Sequence, residues 1–245
     1  MQFDDKTILV TGATSGIGFG TARRLLEAGA QVIGVGRNQA RLDELAALAP
    51  DRLTPLAFDL LDFAGYRARV AALPAIDGVV HSAGISDNNP IRFFSLEKYQ
   101  RVIDINQTAP TLLTAELLRA NKINKGGSIV FVASISGTTI GIRGAAAYGA
   151  SKAALVGISR VIALEVGHKN IRSNCISPGM IETEMIENAK ELSQEAVRAD
   201  QARYPLGGRY GQVQEVADSI LYLLSPASSF MTGQNLVLDG GYSAL

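Results

Sequence analysis

The chain has 245 residues, 47% hydrophobic and 19% charged, which is the balance of one globular domain and excludes a disordered chain. Lys and Arg number 23 and Asp and Glu number 23; this zero net charge excludes a dedicated nucleic-acid binder and gives no polybasic membrane anchor. The one cysteine, Cys175, allows no internal disulfide, and no His/Cys cluster suggests a metal. No apolar run is long enough for a membrane span, and the polar first residues lack the pattern of a signal peptide. The expectation is a cytoplasmic, single-domain chain.

Short apolar runs alternate with longer amphipathic stretches. The predicted strands are 7–10, 31–35, 53–58, 76–80, 128–132, 171–176 and 235–238. Their near-continuous Val, Ile and Leu content suits strands buried on both faces. Between them, helical spacing covers 18–28, 39–48, 63–73, 96–120, 146–166 and 213–224. Pro110 lies inside the 96–120 stretch, where a kink is expected. Strand and helix alternating throughout predict an α/β, doubly wound fold, a seven-stranded parallel sheet with helices on both faces. From Gly179 to Gly211 the rhythm breaks, with about one helix at 189–202. An excursion here, after a strand and beside the ligand crevice, is read as a substrate lid at about 180–211.

The first strand runs through Thr11 into Gly12, Ala13, Thr14, Ser15, Gly16, Ile17 and Gly18 before the first helix. Glycines at this spacing let the backbone approach a pyrophosphate, and the helix behind them offers free N–H groups to that anion. The alternative is a plain glycine-rich turn, but its position between the first strand and the first helix favours a dinucleotide. The second strand ends in Gly36 and Arg37 with no acidic residue. An acid there would hold the ribose 2′-hydroxyl of NAD; a guanidinium suits a 2′-phosphate, so NADP(H) is expected, with NAD(H) as the alternative. Asp59, followed by Leu60, is either an acceptor for the adenine amino group or a cap.

Tyr148 and Lys152 are four residues apart and share a helix face. A lysine ammonium beside a phenol is expected to lower the tyrosine pKa and yield an acid–base group. The preceding strand ends at Ser134, on the side of the sheet that borders the crevice, where its hydroxyl would donate to a substrate oxygen.

Taken together, Thr11-Gly12-x-x-x-Gly16-x-Gly18, Asp59, Ala83-Gly84, Asn106, Ser134-x-x-Gly137, Tyr148-x-x-x-Lys152, Pro178-Gly179 and Thr183 resemble the short-chain dehydrogenase/reductases, over essentially the whole chain. The resemblance implies a Rossmann fold holding NADP(H) or NAD(H). Tyr148 is then the general acid, and Lys152 tunes it and binds the nicotinamide ribose. Ser134 polarises the carbonyl, and Asn106 holds a water linking Lys152 to solvent. Pro178 and Gly179 face the nicotinamide, Thr183 bonds its carboxamide or a phosphate, and Ile181 completes the cofactor set. Two departures stand out. His81-Ser82 replaces the usual Asn-Asn before Ala83-Gly84, with Ser82 keeping one hydrogen bond and His81 read as structural. Ser15 stands where many NADP-using members are basic.

The substrate pocket is expected to be lined by Ile85, Ile135, Ile140, Ile142, Met180, Ile181, Met185 and Ile186. This apolar set suits an acyl chain or a hydrophobic ketone; Met185 and Ile186 are equally read as packing on the core. Some members of the family reduce 3-oxoacyl chains on an acyl carrier protein. Lys125 and Lys169 fall at positions resembling the basic residues that bind the acidic carrier near their active-site entrance. Others oxidise sugars, polyols or small alcohols. The family is commonly homotetrameric, through helices like 96–120 and 146–166 and the last strand. A dinucleotide-sensing regulator without chemistry, or an epimerase or dehydratase, are the readings from other classes. The intact Ser134, Tyr148, Lys152 and Asn106 set argues against the first.

Overall fold

In a computed structural model describing residues 1–183 and 194–244, seven strands lie side by side. They are β1 (Thr7–Thr11), β2 (Gln31–Gly36), β3 (Leu53–Ala57), β4 (Ile76–His81), β5 (Ile123–Val132), β6 (Arg172–Pro178) and β9 (Asn235–Leu238). Their order is β3-β2-β1-β4-β5-β6-β9, and every pairing is parallel. The order reverses between β1 and β4, so a crevice opens at their carboxyl ends, where ligands bind in such sheets.

The faces follow from the period of two along each strand. Ile8 and Val10 of β1 and Val130 and Val132 of β5 pack with α1 (Gly16–Glu27), α2 (Gln39–Leu48) and the helix over Val213–Leu224. Leu9, Ile129 and Phe131 turn the other way, onto α3 (Tyr66–Ala72), α5 (Ala109–Arg119) and the helix over Ala146–Val166. One sheet thus separates two apolar cores within a single domain.

Several predicted boundaries coincide with the structure, among them 39–48, 146–166, 213–224 and 235–238. Two differ for physical reasons. Strand β5 starts at Ile123, five residues early, because the register shifts: Ile76 pairs with Ile123, and Gly78 then pairs with Ser128. The predicted 96–120 helix is three pieces: α4 (Leu96–Ile103), a wider π-type turn at Asp104–Thr108, and α5. Pro110 has no N–H for the carbonyl of Asn106 four residues back, and its ring would crowd that carbonyl. The helix widens one turn there, and the turn carries Asn106.

After β5 come a short helical turn, α6 (Ile135–Thr138), and then the long α7 (Ala146–Val166). The excursion after β6 opens and closes at one place. Strand β7 (Ile181–Glu182) pairs with β8 (Gly211–Gln212), just before α9 (Val213–Leu224). Between them lies α8 (Gln194–Gln201), shorter than the expected helix, whose first five residues fall outside the described ones. Tyr204 then returns to the sheet end, its hydroxyl accepting from the Met180 N–H at 3.1 Å.

Candidate functional site

Thr11 closes β1 and stitches the crevice, its Oγ1 accepting from the N–H groups of Ser82 (3.2 Å) and Ala83 (3.4 Å) beyond β4. This draws the 82–84 backbone over Gly12, which has φ +70° and lies so close that a Cβ there would sit 2.8 Å from Ala83 Cα. Glycine is required for both reasons. Helix α1 starts at Gly16 with no acidic residue in its first turn, so its free N–H groups face an open cleft.

That cleft is lined by Gly12, Thr14, Ser15, Gly16 and Ile17 of the turn, Arg37 of the second strand's end, and Asp59 and Leu60 beyond β3. Ser82, Ala83 and Gly84 follow, then Ser134, Tyr148 and Lys152, and finally Pro178, Gly179, Ile181 and Thr183. Two predicted residues lie outside the wall. Gly18 packs instead on the Gly12 carbonyl, and Asn106 sits behind Gly84. Reading motifs missed Phe58 and Ile105, which also line the cleft; the rule that strand ends border the crevice would have found Phe58. Asp59 Oδ1 accepts from the Leu61 N–H at 3.0 Å, a local turn cap, while its side chain still faces the cleft.

At the other end, Ser134 leaves β5 with its Oγ accepting from the Ser136 N–H at 3.1 Å. Gly137, at φ +88°, lies directly on the Gly149 carbonyl in the first turns of α7, where any Cβ would collide. This contact seats the serine turn on the helix that carries Tyr148, and the two side chains are hydrogen-bonded. Lys152 Nζ lies 5.7 Å from the Tyr148 ring centre and donates to the Val132 carbonyl at 2.7 Å.

The electrostatics correct one expectation. Burial pushes the Tyr148 phenol above its usual pKa, and the hydrogen bond from Ser134 opposes this; Lys152 is not among the causes. Burial also lowers Lys152 itself, to about 8. Spacing brings the pair together, but desolvation outweighs their mutual effect within the chain alone.

Asn106 is buried and hydrogen-bonded through both ends of its amide. Its Oδ1 accepts from the Ile85 N–H (2.8 Å), while Nδ2 donates to the Ile85 carbonyl (2.9 Å) and to Ser151 Oγ (3.0 Å). Both amide protons are used, so the side chain clamps the strand-four loop to α7. Gly84 lies beside this clamp: a Cβ there would be 3.2 Å from Asn106 Oδ1 and 3.3 Å from Lys152 Nζ.

His81 is structural, as expected. Its ring stacks on Phe131 at 4.9 Å, and Nε2 lies 2.8 Å from Thr114 Oγ1. Thr114 donates its own proton to the Pro110 carbonyl at 2.8 Å, so Nε2 carries the hydrogen. Nδ1 is a buried acceptor without a partner among the described residues. Burial drops the ring to about 3.

Of the expected substrate lining, Ile85, Met180 and Ile181 face the cleft. Ile135 is buried in the core and Ile142 is exposed, Ile140 is half-buried away from the cleft wall, and Met185 and Ile186 lie outside the described residues. Lys125 and Lys169 do not flank this mouth. They sit at the amino ends of β5 and β6, with Lys169 Nζ on Asn121 Oδ1 at 3.0 Å. The run of α7 from Tyr148 to its far end is about 27 Å, so within one protomer they face away from the site. Among the described residues no group of three potential metal ligands occurs, and no helix is long and apolar enough to cross a membrane.

A switch-point cleft with a glycine turn at one end and a serine, tyrosine and lysine at the other defines an oxidoreductase of the doubly wound class. A family profile described as Enoyl-(Acyl carrier protein) reductase matches residues 12–243. The chain belongs to the short-chain dehydrogenase/reductase family. It is 35% identical over 237 residues to the 3-oxoacyl-[acyl-carrier-protein] reductase FabG of Rickettsia conorii, with 96% of each chain covered. A Brucella melitensis structure titled as a short-chain glucose/ribitol dehydrogenase matches with TM-score 0.90 at 33% identity, covering 99% of both chains. A putative gluconate dehydrogenase from Agrobacterium tumefaciens matches with TM-score 0.92 at 27% identity, covering 100% of this chain and 98% of the other.

Proposed function

We propose that the protein reduces a ketone to a secondary alcohol with NADPH, and that the ketone is a 3-oxoacyl thioester on an acyl carrier. The observation that carries this reading is the convergence of Ser134, Tyr148 and Lys152 on the same cleft as the glycine turn. The residues fit a dinucleotide. Gly12 lets the 82–84 backbone close over the turn, where a Cβ would force it away. Arg37, exposed at the adenosine end, makes no ion pair among the described residues, and no acid stands at the end of β2 to repel a 2′-phosphate.

When bound, the nicotinamide supplies the hydride. The chain's own groups handle the oxygen. Ser134, positioned by the Ser136 N–H, turns its hydroxyl proton from the Tyr148 phenol to the carbonyl oxygen and polarises it. Tyr148, kept protonated at neutral pH by burial, delivers its phenolic proton to that oxygen. Lys152, still mainly cationic at neutral pH, stabilises the phenolate left behind and holds the ribose. Asn106 sets the Ile85 loop and α7 at their working distance. Ile85, Met180 and Ile181 offer an apolar wall to an acyl chain, and the 180–211 excursion serves as its lid. Val161 and Leu164, 54% and 86% exposed on α7, and Phe230, fully exposed, support a homotetramer built on that helix and the C-terminal edge.

The test is oxidation of NADPH by a 3-oxoacyl thioester, with a 2-enoyl thioester as the contrast. Tyr148→Phe is expected to abolish turnover while cofactor binding persists; near-wild-type turnover refutes the mechanism. Arg37→Ala is expected to weaken NADPH far more than NADH, and equal effects refute the 2′-phosphate assignment. The second reading is an NAD-dependent sugar or polyol dehydrogenase. The two solved structures named above favour it, and a polyol panel with NAD decides it.

A further inference from the structure

Behind Ser134 lies a chain of polar side chains from three distant segments. Thr138, four residues on, directs its hydroxyl to the Ser134 carbonyl in a short hydrogen bond. The same Oγ1 lies 3.2 Å from Ser177 Oγ, on β6 immediately before the cleft-lining Pro178. Ser177 Oγ is fully buried and lies 2.7 Å from the Asn235 side-chain amide, on the C-terminal strand β9. Thr139 Oγ1 adds a weak contact to Thr138 at 3.4 Å.

The protons identify the direction of this chain. With the Asn235 Oδ1 toward Ser177, the serine donates to it. Thr138 must then split one proton between Ser134 and Ser177. Turned end for end, the near-isosteric amide donates from Nδ2 to Ser177, Ser177 donates to Thr138, and Thr138 donates to the Ser134 carbonyl. Each contact then has its own proton and all donors point the same way, an arrangement in which neighbouring bonds strengthen one another.

We propose that Asn235, Ser177 and Thr138 form a directed hydrogen-bond relay that fixes the Ser134 turn against the cleft end of β6. All three are positioning residues; none touches the reacting atoms. The relay holds the Ser134 carbonyl while the Ser136 N–H holds its hydroxyl, so both ends of the residue are set. It also joins the two sides of the cleft, since Ser177 precedes the residues expected to face the nicotinamide. The proposal rests on the reading of Ser134 as the carbonyl-polarising group, so its test includes one measurement that needs no turnover.

That measurement is amide hydrogen exchange of the full chain over residues 133–140. Thr138→Val, which keeps the shape and removes the donor, is expected to speed exchange there roughly tenfold, the scale of one lost hydrogen bond. Thr138→Ser restores it. Asn235→Asp has no proton to give, so Ser177 turns its proton to the carboxylate and Thr138 must split its own between Ser134 and Ser177. Exchange is expected to rise, by less than in Thr138→Val, and wild-type exchange in this variant overturns the direction of the relay. In turnover, Thr138→Val is expected to lower kcat roughly tenfold while KM for NADPH stays within about twofold, with recovery in Thr138→Ser. Wild-type exchange and kcat in Thr138→Val overturn the proposal, as does a loss of kcat matched by an equal loss of cofactor affinity. If the wild-type protein turns over no carbonyl substrate, the functional reading fails while the exchange data still decide the relay.

Discussion

Burial of His81 is expected to make the protein less stable in acid. The imidazole is buried and neutral, with its pKa lowered from 6.5 to about 3, and Nδ1 would carry an unpaired N–H if protonated. In the unfolded chain the same group binds a proton near its ordinary value. Between these two values the unfolded state holds more protons than the folded one, so stability falls as the pH falls. The contribution is fully present above the unfolded pKa and drains away toward the folded one. Working the linkage from about pH 6.5 to about pH 4.5 gives a loss of ~2 kcal/mol from this one residue. The assay is chemical denaturation of the wild type and of His81→Asn at both pH values. All other titrating groups cancel in the comparison, so the wild type should lose ~2 kcal/mol more than the variant. Equal losses would refute a buried, neutral histidine.

Three other outcomes are expected. Lys152, lowered to about 8 by burial, should make carbonyl reduction fall roughly tenfold per unit above that pH if its ammonium is needed; a pH–rate profile flat well beyond it removes the lysine from the mechanism. Gly84→Ala sets a methyl group 3.2 Å from Asn106 Oδ1 and 3.3 Å from Lys152 Nζ, and should cut kcat by roughly tenfold or more with little change in Tm. Unchanged kcat would mean that the clamp yields freely. Leu164→Glu, at an 86% exposed position, should lower the mass measured by light scattering without unfolding the subunit; an unchanged mass excludes this face of α7 from the assembly.

The fold was legible because burial writes itself into periodicity. Strands with helices on both faces read as continuous apolar runs, and α2, α7 and α9 show their ends through amphipathic spacing. The candidate site was legible in its identities, since Ser134, Tyr148 and Lys152 stand at a strand end and on one helix face. What stayed hidden depends on register or on burial. Pro110 signalled a disturbance, but the wide turn that presents Asn106 follows from how the helix absorbs it. Spacing placed Lys152 near Tyr148 and could not weigh their attraction against desolvation. The contact between Ser177 and Asn235 spans 58 residues of sequence, and only the pairing of β6 with β9 creates it. Lys125 and Lys169 illustrate the converse: resemblance selects positions, while the length of α7 decides which end of the molecule they occupy.

The two-residue ladder between β7 and β8 has a modular consequence. It ties Ile181 to Gly211 and Glu182 to Gln212, so the two ends of the excursion meet at a fixed neck. The ends of such a loop stay together whatever its length, and doubling that length adds only about 0.6 kcal/mol of closure entropy. On the proposal that the 180–211 excursion is the substrate lid, grafting a different stretch between the two rungs is expected to change substrate preference. Thr183 would have to be kept in any such graft, because it lies just past the first rung, lines the cofactor end of the cleft and approaches Gly16 of the glycine turn.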